Sequence, residues 1–234
     1  MATLHMERVR YRDRQDAGQR LAGALRGFAS KRPVVLALPR GGVPVAAKVA
    51  AALGAPLDLV FVRKIGLPGN PEVAVAAIVD GDDPKVARND EALRLLADPE
   101  AYLTAEATTK LAEIERRRAL YLGGHARVDL AGRTVILIDD GIATGTTALA
   151  AIQAVRRKRP DRLVLAVPVA AASSLARLEA EVDEVVCLQT PTTFGGVGDY
   201  YDDFHQVSDE EVVAHLRQAS GQAPALLDGE SPGR

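Results

Sequence analysis

Cysteine is nearly absent, with a single thiol, Cys187, in 234 residues. That excludes an internal disulfide framework and suits a reducing cytosol. Aromatic residues make up only 4%, so a core has to be assembled from Ala, Val and Leu. No apolar run approaches the ~20 residues that cross a bilayer. Charge of one sign is lacking too. The net charge is −2, which gives no global basic field to recruit nucleic acid or a membrane surface. The N-terminus alternates charged and polar residues (Glu7, Arg8, Arg10, Arg12, Asp13) where a signal peptide would be apolar. The expected location is the cytoplasm.

What is present is ordinary globular material, 47% hydrophobic and 26% charged. Val34–Leu38, Leu57–Val62, Thr134–Ile138 and Leu163–Val167 are short β-branched or Leu-rich runs, and Glu184–Leu188 is a weaker fifth. Each is apolar on both faces, as strands covered by helices on both sides are. Helical spacing follows in Val43–Leu53, Thr146–Arg159 and Ser174–Glu181. The alternation predicts an α/β fold with an open parallel sheet flanked by helices.

The rhythm breaks between about Asp83 and Gly124. Asp98-Pro99 is a helix start, with Leu103, Ala107, Leu111, Ile114 and Tyr121 at helical spacing behind it. Glu113 and Arg117 form an i,i+4 pair expected on the outer face. This predicts a helical insertion on one domain spanning residues 1–219. Ser208-Asp209-Glu210-Glu211 is a capping box for a last helix, and the Gly/Pro/Ala/Ser-rich residues 220–234 predict a disordered tail. Arg116–Arg118 and Arg156–Arg159 lack interleaved aromatics and are expected to be solvated helix faces. His205 and His215 have no partner at metal-ligand spacing.

The chemistry concentrates in Thr134-Val135-Ile136-Leu137-Ile138-Asp139-Asp140-Gly141-Ile142-Ala143-Thr144-Gly145-Thr146-Thr147. A buried strand ends in two carboxylates, then a Gly/Thr-rich loop, then a helix. The loop end of a parallel strand is where α/β proteins bind ligands. Backbone N–H groups and the helix dipole there favour a phosphate. The Gly-Lys-Ser/Thr ending of a nucleotide P-loop is missing, which disfavours a triphosphate. Adjacent carboxylates suit a vicinal diol, so the segment describes a ribose 5-phosphate site. A plain strand followed by an Asp-Gly turn would explain one Asp and one Gly, but not the second of each or the three threonines.

This segment resembles the 5-phosphoribosyl-1-pyrophosphate (PRPP) motif of the type I phosphoribosyltransferases. Leu38-Pro39-Arg40-Gly41-Gly42-Val43 is similar to that family's pyrophosphate loop. Val62-Arg63-Lys64 with Gly66-Leu67-Pro68-Gly69-Asn70-Pro71-Glu72 is similar to its strand end and mobile catalytic loop. The overall pattern is nearest to a subgroup of uncharacterised bacterial members with the same Leu-Pro-Arg-Gly-Gly start. Thr190–Phe204 is similar to the hood of purine-specific members, with one residue inserted between Phe194 and the Val197-Gly198 pair.

The resemblance implies transfer of a 5-phosphoribosyl group from PRPP to a nitrogenous acceptor, with Mg²⁺ as cofactor and pyrophosphate released. It assigns Asp139 to Thr147 to the ribose phosphate and Arg40, Gly41 and Gly42 to pyrophosphate. Arg63 and Lys64 become the catalytic cations, Phe194 and Val197 the acceptor contacts, and Asp202 the metal ligand. It also implies a cis peptide at Arg40–Gly41 and a loop at residues 65–72 that closes over the ligand. The expected partners are PRPP and an unidentified acceptor, not nucleic acid or membrane, with room for a homodimer. A non-catalytic PRPP sensor is the competing reading. Ala143 stands where members acting on 6-oxopurines carry an Asp, so hypoxanthine and guanine are expected to be poor acceptors.

Overall fold

The computed structural model describes residues 10–80, 85–123 and 127–219, so the expectations for the extreme N-terminus and the tail fall outside it. The chain opens with helix α1 (Arg14–Ala24), strand β1 (Val34–Ala37), helix α2 (Gly42–Leu53) and strand β2 (Leu57–Leu59). Strands β3 (Val62–Leu67), β4 (Asn70–Val79) and β5 (Lys85–Arg88) come next, then helices α3 (Asp90–Leu93) and α4 (Pro99–Leu122). The second half alternates as β6 (Thr134–Ile138), α5 (Thr146–Arg157), β7 (Arg162–Val169), α6 (Ala172–Glu179), β8 (Glu184–Gln189) and α7 (Asp209–Ala219).

Five strands pair in parallel in the order β2-β1-β6-β7-β8. Strands β1 and β6 are buried throughout, which matches their apolar residues on both faces. Val35, Ala37, Ile136 and Ile138 join one core with Leu21 of α1, Val43 and Val49 of α2, and Val212 of α7. The alternate residues Val34, Leu36, Val135 and Leu137 join a second core with Ile152 and Val155 of α5 and Leu178 of α6. Period-2 alternation along each strand thus feeds two helical layers. Strand order reverses between β1 and β6, so the crevice beyond their carboxyl ends is the topological switch point of the sheet. Tyr11, Tyr200 and Tyr201 form a separate buried cluster with Val169, at the end of β7.

The run Leu57–Val62 is not one strand. It is interrupted after Leu59, and Val62 opens a second sheet, antiparallel in the order β3-β4-β5. Residues 65–72, expected as a loop, lie largely in the β3–β4 hairpin, turned by Pro68 and Gly69. Proline's fixed φ followed by Gly69 at φ +76° suits a type II turn. Ile65, Val75 and Ile78 are fully buried and supply the pairing energy that a free loop would forgo. The insertion is therefore part sheet, part helix.

Helix α4 starts as expected, with the Asp98 side chain accepting from the Ala101 N–H at 3.0 Å, and it buries Leu103, Ile114 and Tyr121. Arg116 is exposed, as expected, but the two arginines after it are tied down. Arg118 reaches Asp80 at 3.3 Å, beside Arg127 at 2.7 Å. The Glu113–Arg117 pair, at 3.0 Å, faces β3, where Glu113 also meets Arg63. In the second cluster Arg157, Lys158 and Arg159 are exposed, as expected, and Arg156 pairs with Asp183 at 2.8 Å. Cys187 is half-buried, with Sγ 3.2 Å from the Gln189 carbonyl, and burial pushes its thiol pKa up.

Candidate functional site

Asp139 and Asp140 leave β6 at the switch point, and Arg40-Gly41-Gly42 leave β1 directly opposite. The two segments touch. A Cβ built on Gly41 would lie 2.2 Å from Asp140 Oδ2, and one on Gly42 would lie 2.8 Å from the Ile138 carbonyl oxygen. No side chain fits at either position without displacing the acids, which accounts for the paired glycines. The cis peptide of this loop is Pro39–Arg40, one bond earlier than Arg40–Gly41. Gly41 already has helical φ and ψ of −58° and −37° and leads into α2.

The two acids differ. Asp139 forms no ion pair among the described residues, and burial, then the adjacent Asp140, holds its carboxyl well above the usual range. Asp140 is also raised by burial, opposed by the Arg14 guanidinium, whose Nε donates to Asp140 Oδ2 at 2.8 Å. Arg14 donates from Nη1 to the His205 carbonyl at 2.8 Å and lies 3.9 Å from the centre of the Phe204 ring. The Tyr201 hydroxyl donates to the Asp140 carbonyl. Sequence reasoning missed Arg14. No motif marks it; it is the first residue of α1, and its partners Asp140 and His205 lie more than a hundred positions away.

Beyond the acids the loop becomes a concave array of donors. The Ile142 N–H donates to the Val169 carbonyl at 2.9 Å, and the Ile142 carbonyl accepts from the Ala171 N–H at 2.9 Å, which fastens the loop to the end of β7. Gly145 takes φ +75°, a left-handed conformation open to glycine, and sits at the N-cap of α5 with no side chain capping the helix. Among the described residues, the N–H groups of Ala143, Thr144, Gly145 and Thr146 have no hydrogen-bond acceptor. The hydroxyls of Thr144 and Thr146 lie 3.5 Å apart beside them. Unpaired loop amides at the positive end of a helix dipole form an anion nest.

The predicted cations divide. Arg40 is 3.6 Å from Asp209 at the start of α7, and the Tyr121 hydroxyl donates to the same carboxylate at 2.5 Å. Burial, then Asp209, pushes the Tyr121 pKa up to about 12. Arg63 Nε lies 3.3 Å from Glu113, and burial, then Arg117, lowers its pKa. Arg40, Arg63 and Arg117 thus converge around Tyr121. Lys64, the next residue of an extended strand, points to the opposite face of the hairpin and is exposed. The structure does not bring Arg63 and Lys64 to one point, because they sit inside a strand rather than at its end.

In the hood, Val197 packs on the loop so closely that a Cβ on Gly141 would lie 2.5 Å from it. Phe194 stacks on Tyr200 at 5.7 Å, which occupies one side of its ring. Asp202 is largely exposed, 2.9 Å from Arg10. No cluster of three or more His, Cys, Asp or Glu suited to a metal occurs among the described residues. Also among these residues, no helix is long and apolar enough to cross a membrane.

A parallel α/β sheet carrying an acid pair and unpaired loop amides at its switch point is the frame of a ligand-binding α/β class. Comparison with known proteins narrows it. The chain belongs to the phosphoribosyl transferase domain family, which it matches over residues 12–205. Proteins named as phosphoribosyl transferases in two Mycobacterium tuberculosis strains are 47% identical over 207 residues, covering 88% of this chain and 46% of theirs. The chain therefore spans about half the length of these relatives. The crystal structure of TT1426 from Thermus thermophilus superposes with a TM-score of 0.76 at 44% identity, covering 89% of this chain and 98% of that one.

Proposed function

We propose that this domain binds PRPP with Mg²⁺ and transfers its 5-phosphoribosyl group to a nitrogenous acceptor, releasing pyrophosphate. The observation that carries the reading is the uncapped start of α5, an anion nest next to a partly buried acid pair at the switch point. The nest takes the 5-phosphate, and Asp139 and Asp140 face the ribose hydroxyls. Arg14 fixes the Asp140 carboxyl while Asp139 forms no ion pair among the described residues, so the pair's oxygens are placed to accept from the two hydroxyls of a diol. Gly41 and Gly42 bring the pyrophosphate loop against the same carboxylates.

The residues present fit a magnesium ion. Mg²⁺ is held through one or two carboxylates plus substrate phosphate oxygens, not an all-protein cage. Asp139 and Asp140 would supply the carboxylates, and the ion when bound offsets charge on the leaving group. Arg40 lies at the pyrophosphate loop, with Arg63 and Arg117 behind it. In the transfer, the C1–O bond breaks with its electron pair leaving on pyrophosphate, and the acceptor nitrogen's lone pair forms the new bond to C1 and then sheds its proton. The cations stabilise the departing charge in a site shielded from water. Ala143 can neither give nor take a proton, so 6-oxopurines are poor acceptors. A cytoplasmic setting suits the single thiol.

One observation favours a second reading, a PRPP sensor. The segment expected to close over the ligand is folded as a hairpin, and the Tyr102 hydroxyl donates to the Gly66 carbonyl beside its turn at 2.7 Å. Two measurements separate the readings. Calorimetry with PRPP·Mg²⁺ is expected to show binding, lost in the folded Asp139→Asn/Asp140→Asn double variant; equal affinity would remove the central claim. Pyrophosphate release across an acceptor panel identifies the enzyme, whereas binding without release identifies the sensor.

A further inference from the structure

The anion nest has a second layer of side chains behind it, on α6. In a trans peptide the C=O and N–H of one unit point in opposite directions. Fixing a loop carbonyl on one side therefore aims the next residue's N–H at the other. The Ala143 carbonyl accepts from Ser174 Oγ at 2.5 Å, and the Thr144 carbonyl accepts from Arg177 Nη2 at 2.6 Å. With the Ile142 carbonyl held by Ala171, three consecutive carbonyls are drawn towards the α6 side. The N–H groups of Ala143, Thr144 and Gly145 then face the opposite way, into the nest. An unrestrained loop could turn a carbonyl oxygen towards the anion and repel it.

We propose that Ser174 and Arg177 are positioning residues for the phosphate site. They hold back the carbonyls of Ala143 and Thr144 so that the loop amides stay aimed at the anion, and Arg177 adds a positive charge behind the loop. Ser174 is buried, and its oxygen also lies 3.5 Å from Arg177 Nη2, so the two side chains act as one brace. Arg177 is exposed, so its bond to Thr144 is not a by-product of core packing. The proposal rests on the reading of this loop as the 5-phosphate site and adds residues that lie outside the loop itself, 31 and 33 positions from the carbonyls they hold.

The test is calorimetry on the full chain with two separate probes, ribose 5-phosphate for the nest and pyrophosphate with Mg²⁺ for the opposite loop. Ser174→Ala and Arg177→Met are each expected to weaken ribose 5-phosphate binding about tenfold, as loss of one hydrogen bond at a charged site does. Arg177→Lys should recover part of the loss, and pyrophosphate affinity should be unchanged in all three. Wild-type affinity for ribose 5-phosphate in both truncations would overturn the proposal. So would equal losses for both probes, which would signal general distortion. A wild-type chain that binds pyrophosphate but not ribose 5-phosphate would overturn the reading of the loop itself, and the proposal with it.

Discussion

Helices α5 and α7 start in opposite ways. At α7, Ser208 Oγ accepts from the Glu211 N–H at 3.2 Å and Glu211 Oε2 accepts from the Ser208 N–H at 2.7 Å, a capping box closed on itself. Three acids, Asp209, Glu210 and Glu211, sit in its first turn. At α5 the cap is Gly145, with no side-chain acceptor and no acid in the first turn. Helices α1, α3 and α4 are all capped by an Asp or Asn side chain. The same orphan N–H groups and the same dipole are thus satisfied internally at one terminus and left without a side-chain acceptor at the other. A stability optimum would cap both. Helices α2 and α6 also begin without a side-chain cap, but α5 joins that open start to a loop of unpaired amides at the crevice of the sheet.

The comparison can be broken most severely by giving α5 a cap of its own. Gly145→Asp would put a carboxylate at the proposed phosphate site, in a backbone conformation that costs a non-glycine residue about 1 kcal/mol. Calorimetry is expected to show no PRPP or ribose 5-phosphate binding, with the fold retained by circular dichroism.

Next in size is Asp139→Asn, expected to weaken PRPP binding by about 10–100-fold. The same change should raise the melting temperature at neutral pH. A carboxyl whose folded pKa lies above its unfolded one destabilises the fold increasingly as pH rises past the unfolded value. Asparagine removes that penalty and keeps an oxygen for the Asp140 N–H, so the gain should vanish in acid. A melting temperature lowered at neutral pH would contradict this account of the acid.

Ser208→Ala reverses the pattern. It should cost about 1 kcal/mol in denaturant unfolding and leave PRPP affinity unchanged.

The smallest effect concerns His205, whose ring lies 2.9 Å from both Asp203 and Glu211. Hydrogen bonds to Asp203, then to Glu211, raise its pKa. The charged pairing therefore stabilises fully below the ordinary histidine value and is lost as pH rises through the raised one. The ring is about half exposed, so the melting-temperature difference between wild type and His205→Gln should be small and confined to the acidic side.

The α5 side of the comparison was legible in the sequence because it is local. Strand, acids, loop and helix follow one another, and an apolar run ending in Asp139-Asp140 needs no distant partner to be recognised. The brace on α6 and Arg14 on α1 were not legible. Arg14 meets Asp140 across 126 positions, and no spacing rule reaches that far. The β3–β4 hairpin was misread for a different reason. Pro68-Gly69 marks a mobile loop and a tight hairpin turn equally well, and the deciding burial of Ile65 against Val75 and Ile78 appears only in three dimensions. Arg63 and Lys64 then parted, because neighbours within a strand face opposite ways.

The most direct measurement follows backbone amides by NMR during a titration with ribose 5-phosphate. The account predicts that the amide signals of residues 143–148, in the loop and first turn of α5, shift most, while those of residues 209–212 in the first turn of α7 stay in place. Shifts as large at α7 as at α5, or none at residues 143–148 while ligand binds elsewhere, would contradict it.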